Sequence, residues 1–291
     1  MRDRLLVFAA PGCGLQLALC AATALGQEAA ARHGLASGSA AALGQALAGA
    51  LLLAAAGDEE RVSLQLECAG PLRGLLVEAD ADGGARGLVR VGGLALPETG
   101  AADLRPLLGA GPGALTVTSR RAGGLHRTGL QLEACELDEA LGRFLRATRG
   151  DGEVGLIASG AGESDLLGAL LVGDGRRASP GHPFAEPGDL RPSRAALRES
   201  LTRARAAPDA VAAAHQLGQA LSLGPLLVLS DVEPRFRCSC SRERVLAALS
   251  VVGPDELRDM AARDGGAVTR CDFCSVEHRF SAAELSALAG P

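Results

Sequence analysis

The sequence predicts an α+β core domain, then a helical linker, then a small cysteine-bearing C-terminal domain. Three observations predict it. Apolar residues alternate with period two over Val62–Cys68 but recur at helical spacing at Leu137, Leu141, Phe144 and Leu145, so strands and helices are mixed. A stretch rich in Pro and Gly, Asp174–Asp189, interrupts both patterns. Beyond Phe236, four cysteines fall in two tight pairs. The expected boundaries are therefore a core over 1–175, a flexible or helical linker over 176–235 and a C-terminal domain over 236–291.

The elements follow in order. Gly14–Cys20 suits a strand, and Ala21–His33 and Ser39–Ala56 read as helices, with Ser39 as N-cap and Gly57 as stop for the second. That second helix is apolar nearly all round, which calls for burial. Val62, Leu64, Leu66 and Cys68 alternate with Ser63, Gln65 and Glu67, the mark of a half-buried strand. Leu75–Ala79 and Gly87–Val91 flank a turn at Asp80–Gly84. A hairpin is expected from Leu115–Ser119 to Leu125–Leu132, turning at Arg121–Gly124. A helix follows through Leu137–Leu145, then strands at Glu153–Ala158 and Gly168–Val172. Within the linker, Pro180, Pro183 and Pro187 read as loop, and Ser193–Arg205 and Asp209–Leu221 as Ala-rich helices of weak amphipathicity.

The chain has 291 residues and a hydrophobic fraction of 47%, enough for a sizeable core. With no Trp or Tyr, that core is aliphatic. The net charge of −5 argues against a dedicated nucleic-acid binder. Leu5–Gln27 and Gly34–Gly57 carry no charge, the pattern of a signal or membrane segment. Their richness in Ala and Gly, the polar Gln16, Gln27 and Gln45, and the poor lipoprotein cleavage context before Cys20 favour buried strand and helices, with no membrane partner. Cys13, Cys20, Cys68 and Cys135 are scattered without disulfide-like spacing, which suits inert buried thiols in a reducing, cytoplasmic compartment.

The C-terminal segment has its own signals. Val245, Leu249 and Val252 mark one helical face. Pro254-Asp255-Glu256 opens another helix, with Pro at its tolerated first position and acids favoured by the dipole. Ser281 with Glu284 forms a capping box. This core is too small to hold alone, so a staple is expected. Cys238-Ser239-Cys240 and Cys271-Asp272-Phe273-Cys274 supply four thiolates for a closed tetrahedral zinc site, one ion per chain. Each thiolate has a near neighbour able to resolve a sulfenic acid, so oxidation would destroy the ligand set. Most such sites are nevertheless purely structural. His278, four residues after Cys274, reads as a surface residue rather than a fifth candidate ligand. His33, His126, His182 and His215 are scattered, and no nucleophile motif or phosphate-binding loop is present, so no catalytic residue is assigned.

The run from Phe236 to Arg244, with Cys271-Asp272-Phe273-Cys274 and the downstream Arg279-Phe280-Ser281 and Glu284-Leu285, closely resembles the C-terminal domain of the heat shock protein 33 family. Val62–Gly74 with its Cys68-Ala69-Gly70-Pro71 turn, Gly87–Val91, and the helix Leu137–Arg146 are similar to that family's core. The resemblance implies a cytoplasmic, ATP-independent holdase chaperone and not an enzyme. It implies that peroxide or hypochlorous acid releases zinc and forms disulfides Cys238–Cys240 and Cys271–Cys274. The zinc domain and linker would then unfold, exposing apolar surface for unfolding client proteins, and oxidised copies would tend to form homodimers. The resemblance assigns no client-binding residue. Ala147-Thr148-Arg149 departs from the family's usual acidic, polar stretch. Two other readings stand beside it. Arg235, Arg237, Arg242 and Arg244 could make the zinc segment a constitutive ribbon that binds nucleic acid or a ribosomal partner. The Cys271–Cys274 pair could serve a thiol oxidoreductase, although the βαβ context of such a site is missing.

Overall fold

The uncharged N-terminal stretch folds as a hairpin of β1 (Arg4–Ala10) and β2 (Leu15–Ala21), with Leu5 opposite Cys20 and Phe8 opposite Leu17. The computed structural model describes residues 1–57, 59–96, 103–121, 123–133, 136–150, 152–158, 166–173 and 192–290. The expected loop over Asp174–Asp189, Cys135 and His182 lie outside them. The sequence does not mark β1 as a strand, because it shows no alternation. Leu5 and Val7 enter one apolar cluster, and Leu6 and Phe8 enter another on the opposite face. A strand covered on both faces reads as one apolar run.

α1 (Thr23–His33) ends at Gly34, whose φ of 61° closes the helix in the left-handed region. Its N-terminus has no local side-chain cap. The Asp3 carboxylate accepts instead from the Ala24 and Leu25 amides at 3.0 and 2.8 Å. α2 (Ser37–Ala55) is buried along almost its whole length, as its apolar periphery demands. It is long and apolar enough to cross a membrane, yet its residues are enclosed in this core. Ser39 is not the N-cap expected of it. The helix starts two residues earlier, and the Ser39 hydroxyl donates to Val91 O at 2.8 Å and accepts from the Leu94 amide. At the far end, Arg149 donates to Ala56 O at 3.0 Å and pairs with the buried Glu59, which closes the end of α2.

β3 (Arg61–Glu67), β4 (Gly74–Asp80), β5 (Gly84–Val89), the short α3 (Arg105–Leu108), β6 (Gly113–Arg121) and β7 (Gly124–Leu132) come next. Val62, Leu64 and Leu66 of β3 point into the core, as the alternation predicts. α4 (Leu137–Arg149), β8 (Glu153–Ala158) and β9 (Leu166–Gly173) follow. α5 (Arg194–Ala204), α6 (Ala210–Ala220), β10 (Leu227–Val232) and β11 (Arg235–Phe236) complete a first compact unit, Met1–Phe236. One sheet runs β10-β1-β2-β9-β8 and the other β11-β5-β4-β3-β6-β7. α2 packs against strands of both, so it forms the middle layer.

The described part of the expected linker is therefore integrated in this unit. Leu197, Leu201 and Leu217 are fully buried with Ala204, Ala213 and Ala214 against Leu6, Phe8, Leu17 and Leu19 of the five-stranded sheet. Small Ala side chains let two helices of weak amphipathicity lie close on a flat apolar face. Gly155 of β8 leaves room for Leu197 and Leu201, which a Cβ there would meet at 3.1 and 3.2 Å.

The second unit, Arg237–Pro291, holds α7 (Arg242–Leu249), α8 (Pro254–Arg263), β12 (Gly266–Arg270), β13 (Glu277–Ser281) and α9 (Ala282–Ala289). Val252 does not extend the face of α7. It lies past the helix end and is 49% exposed. The expected capping box is present, with Ser281 and Glu284 bonded reciprocally.

Candidate metal centre

The second unit buries Leu249, Leu257, Ala267, Phe280 and Leu285 as its apolar core. So few side chains cannot offset the backbone entropy of the segment. The polypeptide brings four sulfurs together beside this core. Cys238 and Cys240 lie on the segment leading to α7, whose N-cap is Ser241, accepting from the Arg244 amide. The positive end of that helix dipole favours negative sulfur nearby. Cys271 and Cys274 lie in the turn between β12 and β13. The Cys271 amide donates to Val276 O at 2.9 Å, and the Ser275 amide donates to Cys271 O at 2.8 Å. Ser275 takes φ of 60°, the left-handed step that reverses the chain.

All four Sγ atoms lie within 4.8 Å of one another. Cys238 Sγ stands 3.7 Å from Cys271 Sγ, and Cys240 Sγ 3.3 Å from Cys274 Sγ. A tetrahedral ion with metal–sulfur bonds of about 2.3 Å has sulfur–sulfur edges of about 3.8 Å. The four side chains therefore fit such an ion and could hold one. Burial, then the adjacent sulfurs, push the Cys240 thiol up, and burial does the same for Cys274. Four thiolates in this space need a cation.

Arginines brace the surround. Arg244 donates to the Ser239 carbonyl and hydroxyl, both at 2.8 Å, and fixes the peptide between the first two cysteines. Arg242 lies 4.4 Å over the Phe280 ring, donates to Arg279 O and pairs with Glu284, so one side chain ties α7 to β13 and α9. Hydrogen bonds from Ser281 and Arg242 hold the Glu284 carboxyl down at about 2. Two of the four arginines that could form a basic nucleic-acid face are thus committed to internal contacts. Spacing alone does not reveal that role. The β12–β13 hairpin is a further element beyond those expected, although Ala267–Thr269 and His278–Phe280 alternate on either side of the Cys pair.

The remaining candidates stay apart. His278 faces Thr269 across the hairpin, and among the described residues the cluster of metal-capable atoms is the four sulfurs without an imidazole. Cys13 is buried, its thiol directed at Ala10 O and Leu223 O, and burial pushes the Cys20 thiol up. Cys68 is half-buried rather than buried. His33 ends α1, His126 lies on β7, and the His215 ring is 6.0 Å from that of Phe8, so these three form no triad.

Comparison with known proteins places the chain in a family. The profile of a family described as Hsp33 protein matches residues 3–148 and 183–281. A 33 kDa chaperonin of Thermus thermophilus is 33% identical over 98% of this chain and 86% of its own length. One from Synechococcus elongatus is 33% identical over 99% of this chain and 97% of its own. The crystal structure of the Thermotoga maritima 33 kDa chaperonin superposes with a TM-score of 0.73 at 20% identity, covering 99% of this chain and 98% of that one, and so shares the fold.

Proposed function

The chain belongs to the Hsp33 family, and from that premise we propose that it is a cytoplasmic, ATP-independent holdase whose affinity for unfolding proteins is switched on by oxidation of Cys238, Cys240, Cys271 and Cys274. The observation that carries the reading is the convergence of four sulfurs in a unit with so small an apolar core. Bound zinc would keep all four as thiolates in a tetrahedral array. Ser241 and Arg244 hold the first pair in place, and the β12–β13 turn holds the second. Under peroxide each pair of thiolates gives up two electrons and forms one S–S bond. The peroxide takes the electrons and two protons and leaves as water. Cys238 joins Cys240 and Cys271 joins Cys274, and the ligand set is lost. A unit that folds around its metal then loses its structure.

The same reading gives α5 and α6 a role. They cover the face of the five-stranded sheet formed by Leu6, Phe8, Leu17 and Leu19. Released from it, they would leave an apolar surface able to hold extended, partly unfolded chains. Association of oxidised copies would follow from the same exposed surface.

Light scattering from a heat-unfolding client tests the proposal, with the protein added reduced and zinc-loaded or after peroxide. Suppression by the oxidised form alone supports the switch. Equal suppression by both forms makes the metal purely structural. Suppression by neither removes the chaperone reading.

A further inference from the structure

α5 begins with Arg194, a cation at the end of a helix where the dipole disfavours it. What holds it there lies across the fold at the start of α4. Asp138 is 3% exposed, and Arg194 donates to it at 3.2 Å while Arg198, one turn on, donates to its other oxygen at 3.3 Å. Arg194 also pairs with Glu136 and, at 3.4 Å, with Glu139. The same Asp138 carboxylate accepts from the Glu139 amide at 2.9 Å and from the Leu156 amide of β8 at 3.4 Å. Burial works against the charge of Arg194, and Asp138 and Glu136 more than restore it. Among the described residues, the cations that meet the two oxygens of Asp138 are thus both carried by α5.

We infer that Asp138 anchors an ionic latch, closed by Arg194 and Arg198, that keeps α5 and with it α6 on the five-stranded sheet. A buried carboxylate stripped of its cations is strongly disfavoured, so lifting α5 carries an electrostatic penalty besides loss of apolar contact. The latch lies wholly in the first unit. It therefore sets how readily the apolar face is uncovered by a means separate from the four cysteines. The functional consequence rests on the holdase reading above. The latch itself does not.

Hydrogen exchange of the α5 and α6 amides in the full-length, reduced, zinc-loaded protein tests it. Asp138→Asn keeps an acceptor for the Glu139 amide and removes the charge. The double variant R194Q/R198Q approaches the same loss from the partly exposed side and serves if the first variant does not fold. Exchange over 194–220 is expected to quicken on the order of tenfold or more in either variant. R203Q, which breaks only the exposed pair with Glu199 on the same helix, is the control and leaves exchange unchanged. Unchanged exchange in the latch variants, or an equal rise in R203Q, overturns the latch. Faster exchange with aggregation suppression in the reduced state supports both the latch and its role. Faster exchange without suppression supports the latch and removes the uncovered face as the client surface.

Discussion

The Sγ of Cys240 lies 3.3 Å from that of Cys274, a close approach that joins the first cysteine pair to the second. In a tetrahedral set all edges are alike, and the resting distance does not choose which disulfide forms. The choice would fall as oxidation loosens the ligand set, when the chain tether is what keeps thiols together. Loop closure then favours partners close in sequence over partners on separate elements. Peptide mapping of the peroxide-treated, alkylated protein is expected to find Cys238–Cys240 and Cys271–Cys274. A dominant Cys240–Cys274 crosslink would show that oxidation precedes separation of the two pairs.

Replacing one of the four cysteines should act first on the second unit. Cys274→Ser leaves three thiolates beside a five-residue core, and metal affinity should fall roughly a hundredfold or more. Equilibrium dialysis against a chelator measures that loss. Hydrogen exchange should show protection disappearing from Arg237 onward while α2 keeps its own. Full protection of both units in the metal-free variant would mean that the apolar core suffices without a staple.

The Cys68-Ala69-Gly70-Pro71 turn has a steric requirement at Gly70. A Cβ there would meet Leu107 O and Leu108 C at 2.4 Å, both backbone atoms, and the Gly70 amide donates to Leu108 O at 3.0 Å. Backbone cannot swing aside as a side chain can, so Gly70→Ala should push α3 away and destabilise the first unit by about 1–3 kcal/mol. Urea unfolding followed by circular dichroism reads the change. A shift within error of zero would mean that α3 moves freely.

How far the sequence discloses these features depends on how many faces of each element are covered. β3 is legible because Ser63 and Gln65 look away from the core, which leaves a period of two. β1 is not, because Leu5 and Leu6 enter opposite clusters. The four cysteines announce themselves because each pair is closely spaced in the sequence. The capping box at Ser281 and Glu284 is equally local. Asp138 and its arginine partners are separated by 56 and 60 residues, and no local pattern links them. The helices α5 and α6 look like linker because Ala buries without marking a strong apolar stripe. Their docking depends on a flat sheet face assembled from distant strands.

Asp3 offers a test of burial through pH. It is 6% exposed and caps α1 through the Ala24 and Leu25 amides. Burial raises its carboxyl above the ordinary value of 3.8, although those two hydrogen bonds pull the other way. A group whose folded value is raised binds its proton more tightly in the native state. Its stabilising contribution is therefore complete below the unfolded value and is lost as pH rises through the folded one. Asp3→Asn keeps an oxygen acceptor for the cap and never ionises. Relative to the native residue, the Asn variant should thus fare better at about pH 7 than at about pH 3.5. Urea unfolding at both pH values, on chelated protein so that the second unit contributes equally, measures the difference. If the native residue instead gains on Asn as pH rises, the amide hydrogen bonds outweigh burial at this carboxylate, and Asp3 is a net stabilising charge.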